Sequence, residues 1–214
     1  MSKKAMAKKK KRERLRNKRL IKKYGNWIRP RQWGRYGWKE DFADDYATEY
    51  DAFNKGWGML WRMMLNDINP LIHKYNLQDT FFFEQIKEKY GELCIYHNGA
   101  PKEIDDIINA YCFISSNVCQ WCGRPDSAVS KGGWVNCKCK KCFEAYCKNH
   151  ECNKKYEECY NTDPKSSQIP NVRKVRRFST DGYVDIEYDI KDIVDRYRSK
   201  WYNKHKEAAM NGNK

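Results

Sequence analysis

Two cysteines spaced as C-x2-C, Cys119 and Cys122, are answered by a second pair at the same spacing, Cys139 and Cys142, across residues 123–138. No other feature limits the fold as tightly. A C-x2-C pair sits on a tight knuckle whose two sulfurs point the same way, and Gly123 frees the turn. Two knuckles supply the four tetrahedral sulfurs that Zn²⁺ prefers. Four thiolates close the coordination shell, whereas a catalytic zinc keeps one position open. The expected role is therefore structural, with metal affinity acting as folding free energy. A disulfide framework fits less well. The ten cysteines follow a basic, polar N-terminus with no apolar signal segment, which reads as a reduced, metal-binding chain.

Charge placement is the second constraint. Of a net +15, residues 1–23 carry 13 Lys and Arg against the single acid Glu13, and Arg29, Arg31 and Arg35 add three more cations. From Lys39 onward basic and acidic side chains balance. The excess is thus an N-terminal arm on a neutral body. Such an arm cannot bury apolar surface and is expected to be disordered alone. Its density of cations is an electrostatic footprint for phosphates. Lys8, Lys9, Lys10, Lys11, Arg12, Arg14, Arg16, Lys18, Arg19, Lys22 and Lys23 are the expected contacts. Leu15, Leu20 and Ile21 are too few for an amphipathic membrane helix, and no run approaches the ~18 apolar residues that span a bilayer. Residues 24–38 interleave Trp27, Arg29, Arg31, Trp33 and Arg35 without a helical or strand period. Such rings and guanidinium planes can stack on unpaired bases or simply pack on the body.

Further along, Phe42, Tyr46, Tyr50 and Phe53 predict an amphipathic helix within the acidic residues 39–55. After Gly56-Trp57-Gly58 a second helix is expected from Met59 to Tyr75, bent or split at Pro70. Residues 79–97 read as a β-hairpin turning at Lys89-Tyr90-Gly91-Glu92. Pro101 opens a helix to Ser116, which delivers the chain into Cys119.

The ordered run Gln85-Ile-Lys-Glu-Lys-Tyr-Gly91-Glu-Leu-Cys-Ile-Tyr96, helix, Cys119-x2-Cys122-Gly-Arg-Pro, Gly133-Trp134-Val135 and Cys139-x2-Cys142 resembles a group of small phage and prophage proteins of unassigned function. The resemblance covers about residues 57–145. It implies Cys119, Cys122, Cys139 and Cys142 as zinc ligands, leaves Cys137 spare, and lends a phage setting without an activity. Glu92 and Cys94 depart from the Gly and Arg that the group more often carries. The basic arm and the residues after 145 look like additions.

A second cysteine set, Cys147, His150, Cys152 and Cys159, could hold another zinc through three thiolates and an imidazole, or could be free buried thiols, on a helix expected from Cys142 to Tyr160. Residues 161–171 have the composition of a linker. Val172 to Phe178 is a basic run, residues 183–190 alternate as a strand, and a basic helix follows from Ile190 to about Lys206. On the strand, Asp185, Glu187 and Asp189 could hold Mg²⁺ as in a nuclease, although a solvated strand face accounts for them as well. None of His73, His97, His150 and His205 sits in an Asp-His or His-His pair, and no phosphate loop or nucleophile elbow stands out.

Together these readings predict an α+β chain, mainly helical, with a β-hairpin and a four-cysteine zinc-ribbon or knuckle module behind a disordered basic arm. The expected organisation is arm 1–38, body 39–160 with the zinc site at 119–142, linker 161–171 and a strand–helix extension 172–214. The expected function is non-enzymatic. It is a zinc-stabilised, phage-type accessory protein of the bacterial host cytoplasm that binds nucleic acid, RNA favoured, or a host ribonucleoprotein, as an inhibitor of a defence complex such as a CRISPR effector would. The alternatives are a regulator or virion or nucleoid nucleic-acid-binding protein, and a small metal-dependent nuclease.

Overall fold

The basic N-terminal stretch is helical. In the computed structural model, which describes residues 2–28, 31–34, 37–40, 55–150, 152–179 and 182–211, α1 spans Lys3–Tyr24. The Ser2 hydroxyl caps its start by accepting from the Ala5 N–H, and Gly25, at φ +101°, ends it by donating to the Ile21 carbonyl. This corrects the expectation of a disordered arm, and the reason lies at its C-terminal end. Asn17, Leu20, Ile21 and Tyr24 recur at helical spacing on one side, and Asn17, Leu20 and Tyr24 are buried. A 3-10 turn, Asn26–Ile28, carries the stripe on through buried Trp27 and Ile28. Trp27 meets Phe81 at 5.8 Å and Phe83 at 5.9 Å between ring centroids. Asn66 accepts from both Lys23 Nζ (2.6 Å) and the Tyr24 hydroxyl (2.9 Å). Burial of this late aromatic stripe offsets the self-repulsion of the cations.

Residues 31–34 and 37–40, which show no strand period in sequence, form the antiparallel pair β1 (Arg31–Gly34) and β2 (Gly37–Glu40), with Trp33 opposite Trp38 in register. The helix expected in residues 39–55 falls mainly on residues 41–54, outside the described residues. Helix α2 (Gly58–Lys74) runs unbroken through Pro70. The carbonyl that Pro70 leaves without a donor belongs to exposed Asn66, where water can satisfy it. From Met59 to Leu65 α2 is buried on nearly every side except at Arg62.

Strands β3 (Phe83–Lys89) and β4 (Glu92–His97) form the expected hairpin. Its two-residue turn places Tyr90 at φ +52° and Gly91 at φ +82°, the backbone that matches strand twist. Helix α3 follows at Lys102–Ser115.

After α3 come the short pair β5 (Ala128–Val129) and β6 (Cys137–Lys138), α4 (Lys140–Asn149), α5 (Tyr156–Cys159) and α6 (Pro164–Ser167). A second hairpin, β7 (Val172–Ser179) with β8 (Gly182–Asp189), and α7 (Lys191–Asn211) complete the order. The single helix expected over 142–160 is two helices. Asn149, His150, Cys152 and Asn153 are weak helix formers. The break lets Tyr156 and Tyr160 return onto Phe143, each at 5.5 Å.

Residues 161–171, read as a linker, carry α6 and are tied down. The Asn117 amide donates to the carbonyls of Ser166 and Ser167, and Asp126 accepts from the Ile169 N–H. In the β7–β8 backbone register Lys174 is partnered with Glu187 and Arg176 with Asp185.

The chain divides into two compact units. One comprises Met1–Phe53, Met64–Lys87 and Cys94–Ile108; the other comprises Asn54–Met63, Glu88–Leu93 and Asn109–Lys214. The first holds an aromatic core of Trp27, Phe81 and Phe83. The second holds the cysteine quartet. Among the described residues, no helix is long and apolar enough to cross a membrane.

Candidate metal centre

The first knuckle follows directly on α3. Cys119 N–H donates to the Arg124 carbonyl (2.9 Å) and Gly123 N–H donates to the Cys119 carbonyl (2.8 Å), with Gly123 at φ +78°. The second knuckle is the start of α4, where Cys139 is the N-cap residue and Cys142 lies in the first turn. A bond from Gln120 N–H to the Cys137 carbonyl (3.0 Å) ties the knuckles together. As a result the four thiol sulfurs of Cys119, Cys122, Cys139 and Cys142 lie within 4.8 Å of one another. The Cys122 and Cys139 sulfurs are 3.7 Å apart, and a tetrahedral zinc with bonds of about 2.3 Å sets them about 3.8 Å apart. These residues are placed to hold a metal ion such as zinc. Cys119 and Cys139 are buried, Cys142 is half-buried and Cys122 is exposed.

Without a cation the quartet resists full ionisation. Thiol hydrogen bonds from Cys122 and Cys139 hold Cys119 down to about 2. The bond to Cys119 pushes the Cys122 thiol far above its ordinary value. Burial, and then the charges on Cys119 and Cys139, push Cys142 up to about 12. A divalent ion would invert this, since coordination ionises thiols outright. The α4 N-terminus adds its dipole to the same side.

Lys138 is buried with Nζ 3.9 Å from the Trp121 ring centre and 4.3 Å from that of Tyr146. Burial lowers its pKa, while the Cys119, Cys147 and Cys142 thiolates oppose that shift. Cys137 stays apart from the quartet. It is buried, its thiol donates to the Ser127 carbonyl (3.3 Å), and burial pushes it well above the thiol range.

Residues that read in sequence as punctuation or tail support the first knuckle. Gly56 N–H donates to the Gln120 carbonyl (3.0 Å), and Trp57 Nε1 donates to the Val118 carbonyl (3.1 Å). From α7, the Tyr197 hydroxyl donates to the Gly123 carbonyl (2.6 Å), and Arg198 grips Asp126 with two bonds of 3.0 and 2.7 Å. The tail read as an extension is therefore a wall of the cysteine module. In sequence Gly56-Trp57-Gly58 marks only a helix break, so neither support is legible there.

The second cysteine set gathers differently. Cys147, Cys152 and Cys159 pack with Phe143, Tyr156 and Tyr160, while His150 stacks on Tyr146 at 4.2 Å and its Nδ1 bonds the Tyr146 carbonyl. Among the described residues, the quartet alone brings its ligand atoms within 4.8 Å. Of the three acids on β8, Glu187 pairs with Lys174 at 2.6 Å and Asp189 accepts from the Lys191 N–H. His97, which had no evident partner in sequence, has Asp105 at 3.4 Å.

Lys8, Lys9, Lys11, Arg12, Arg14, Lys18, Arg19, Lys22 and Lys23 are exposed on α1, and Arg16 is half-buried against the Asn17 amide. Lys10 is on the same helix, and Arg31 and Trp33 are on β1. Arg29 and Arg35 lie outside the described residues. Trp27, expected at a nucleic-acid face, is instead core, 1% exposed, and cannot stack on a base.

The class defined by fold and site is an α+β chain, mainly helical, built around a cysteine quartet fit to hold a metal ion. No protein-family profile, curated protein or solved structure matches the chain.

Proposed function

We propose that the chain is a zinc-stabilised binding protein for nucleic acid, RNA favoured, that acts by binding rather than catalysis. The observation that carries this reading is the exposed cationic surface of α1. A 22-residue helix is about 33 Å long, and its exposed Lys and Arg suit a run of backbone phosphates. The quartet fits zinc by donor type, spacing and count. Zinc would supply folding energy here, with Cys119, Cys122, Cys139 and Cys142 as its ligands in a ribbon or knuckle arrangement. In the phage setting implied by the resemblance, the natural target is a host ribonucleoprotein, and a defence complex such as a CRISPR effector is one of that kind.

The test replaces Lys8, Lys9, Lys11 and Arg12 with Gln, which leaves the buried end of α1 untouched. RNA affinity should fall, and the slope of log affinity against log salt should flatten by about 0.7 for each phosphate that is no longer neutralised. Unchanged affinity and slope would reject the helix as the binding surface.

A further inference from the structure

Where α4 ends, the chain turns straight back on itself. His150 N–H donates to the Cys147 carbonyl (3.2 Å), and Cys152 N–H donates to the same carbonyl (3.0 Å). The second of these is the six-to-one bond of a Schellman-type turn, which brings the side chains at its two ends together. Here both ends are cysteines. Cys147 and Cys152 pack into one cluster with Phe143, Tyr156 and Tyr160, and Cys159 packs against it too. We propose that Cys147 and Cys152 are a peroxide-responsive thiol pair, separate from the quartet, that closes to a reversible disulfide. This goes beyond the nucleic-acid reading and does not depend on it.

Access to the two sulfurs is unequal. Cys152 is half-buried and, with Lys154 and Cys159, lines an open cleft of about 560 Å³. Cys147 is buried. A small peroxide entering the cleft therefore meets Cys152 first. The electrostatics run the same way. Hydrogen bonds from the Cys147 thiol and the Lys154 N–H, and then the Lys154 charge, lower the Cys152 thiol below its ordinary value against the opposing effect of burial. Burial, and then the bond to Cys152, push Cys147 up to about 11. An accessible, acidified thiol beside a protonated partner is the arrangement of an attacking and a resolving cysteine. Among the described residues, the quartet alone brings its ligand atoms within 4.8 Å, so a metal held there leaves Cys147 and Cys152 outside its shell. A thiolate shared with a metal is less basic, and so less nucleophilic, than a free one.

The Cys152 thiolate attacks one oxygen of hydrogen peroxide and the O–O bond breaks. The leaving hydroxide takes up the proton that Cys152 gave up and departs as water, and Cys152 is left as a sulfenic acid. The Cys147 sulfur then attacks the Cys152 sulfur. An S–S bond forms, the S–O bond breaks, and the hydroxyl leaves with the Cys147 proton as a second water. The two thiols lose two electrons and the peroxide gains them. A dithiol reductant reverses the step by exchange.

The experiment treats the full zinc-loaded chain with stoichiometric hydrogen peroxide and maps its thiols by mass spectrometry. Digestion after Glu144 and Lys148 separates Cys147 from both Cys142 and Cys152. A Cys147–Cys152 cross-link, short by two hydrogens, should appear before zinc release and before oxidation of Cys94, and should vanish with dithiothreitol. With dimedone as a sulfenic-acid trap, Cys147→Ser should carry the adduct on Cys152 severalfold above the wild type, because nothing resolves it. Cys152→Ser, at a half-buried position, keeps the test valid if Cys147→Ser does not fold, and should leave Cys147 reduced at the same dose. A Cys152–Cys159 bond, zinc release ahead of the cross-link, an unoxidised pair at the dose that oxidises Cys94, or oxidised Cys147 in Cys152→Ser overturns the proposal.

Discussion

Gly56 and Gly123 approach so closely that neither position has room for a side chain. A Cβ on Gly56 would lie 2.3 Å from the Cys119 carbonyl oxygen, and one on Gly123 would lie 2.5 Å from the Gly56 carbonyl oxygen. Both obstacles are backbone and cannot swing aside. Gly56→Ala should therefore cost about 3 kcal/mol or more and weaken metal retention, measured by denaturant unfolding with zinc bound. A loss under about 0.5 kcal/mol would mean that the two segments do not cross there.

The thiols give a second prediction at this scale. Cys142 is pushed up to about 12 and Cys122 higher still, so metal uptake must expel their protons. Falling pH opposes that release. Affinity in a chelator competition should drop at least about a hundredfold per pH unit below neutrality, the two protons of Cys122 and Cys142 being the minimum released. A flat profile would reject thiolate ligation. The pairs Cys119/Cys122 and Cys139/Cys142 were legible from spacing alone. Gly56 was not, because its partner is distant in sequence and its only mark was as a helix breaker.

At the scale of elements, α1 separates a buried end from an exposed one. Leu20 is 8% exposed and Leu15 is 49% exposed on the same helix. Leu20→Ala should cost about 2–3 kcal/mol, and Leu15→Ala should stay within about 0.5 kcal/mol, by thermal or chemical unfolding. Equal effects would mean that α1 does not dock through this face. Helix α2, the β3–β4 hairpin and α3 were readable because their periodicities are local. The α4–α5 break was not readable. Periodicity runs on through residues 150–155, and what decides against helix is the return of Tyr156 and Tyr160 onto Phe143, a contact between elements. The β1–β2 pair was missed for want of alternation in residues 31–40.

For the whole molecule, the quartet joins segments that are far apart in the chain: the Gly56–Trp57 turn, both knuckles and α7. Removing the metal should loosen them together. On chelation, amide exchange should accelerate across residues 119–142 and also across residues 191–201 of α7, because the Tyr197 and Trp201 side chains donate to the Gly123 and Cys122 carbonyls. Unchanged protection in α7 would show that the helix is held independently of the centre.

The sequence by itself determined the metal-ligand pattern, the neutral body beneath a cationic N-terminus, and the elements whose hydrophobic period is local. Each follows from residue type and spacing, which act over a few residues. Tertiary structure alone decided that the cationic stretch is a docked helix, that Trp27 belongs to the core, that the tail walls the cysteine module, and that residues from Ser130 to Tyr160 line one cleft. These depend on which distant surfaces exclude water together, and chain order does not encode that separately from the fold.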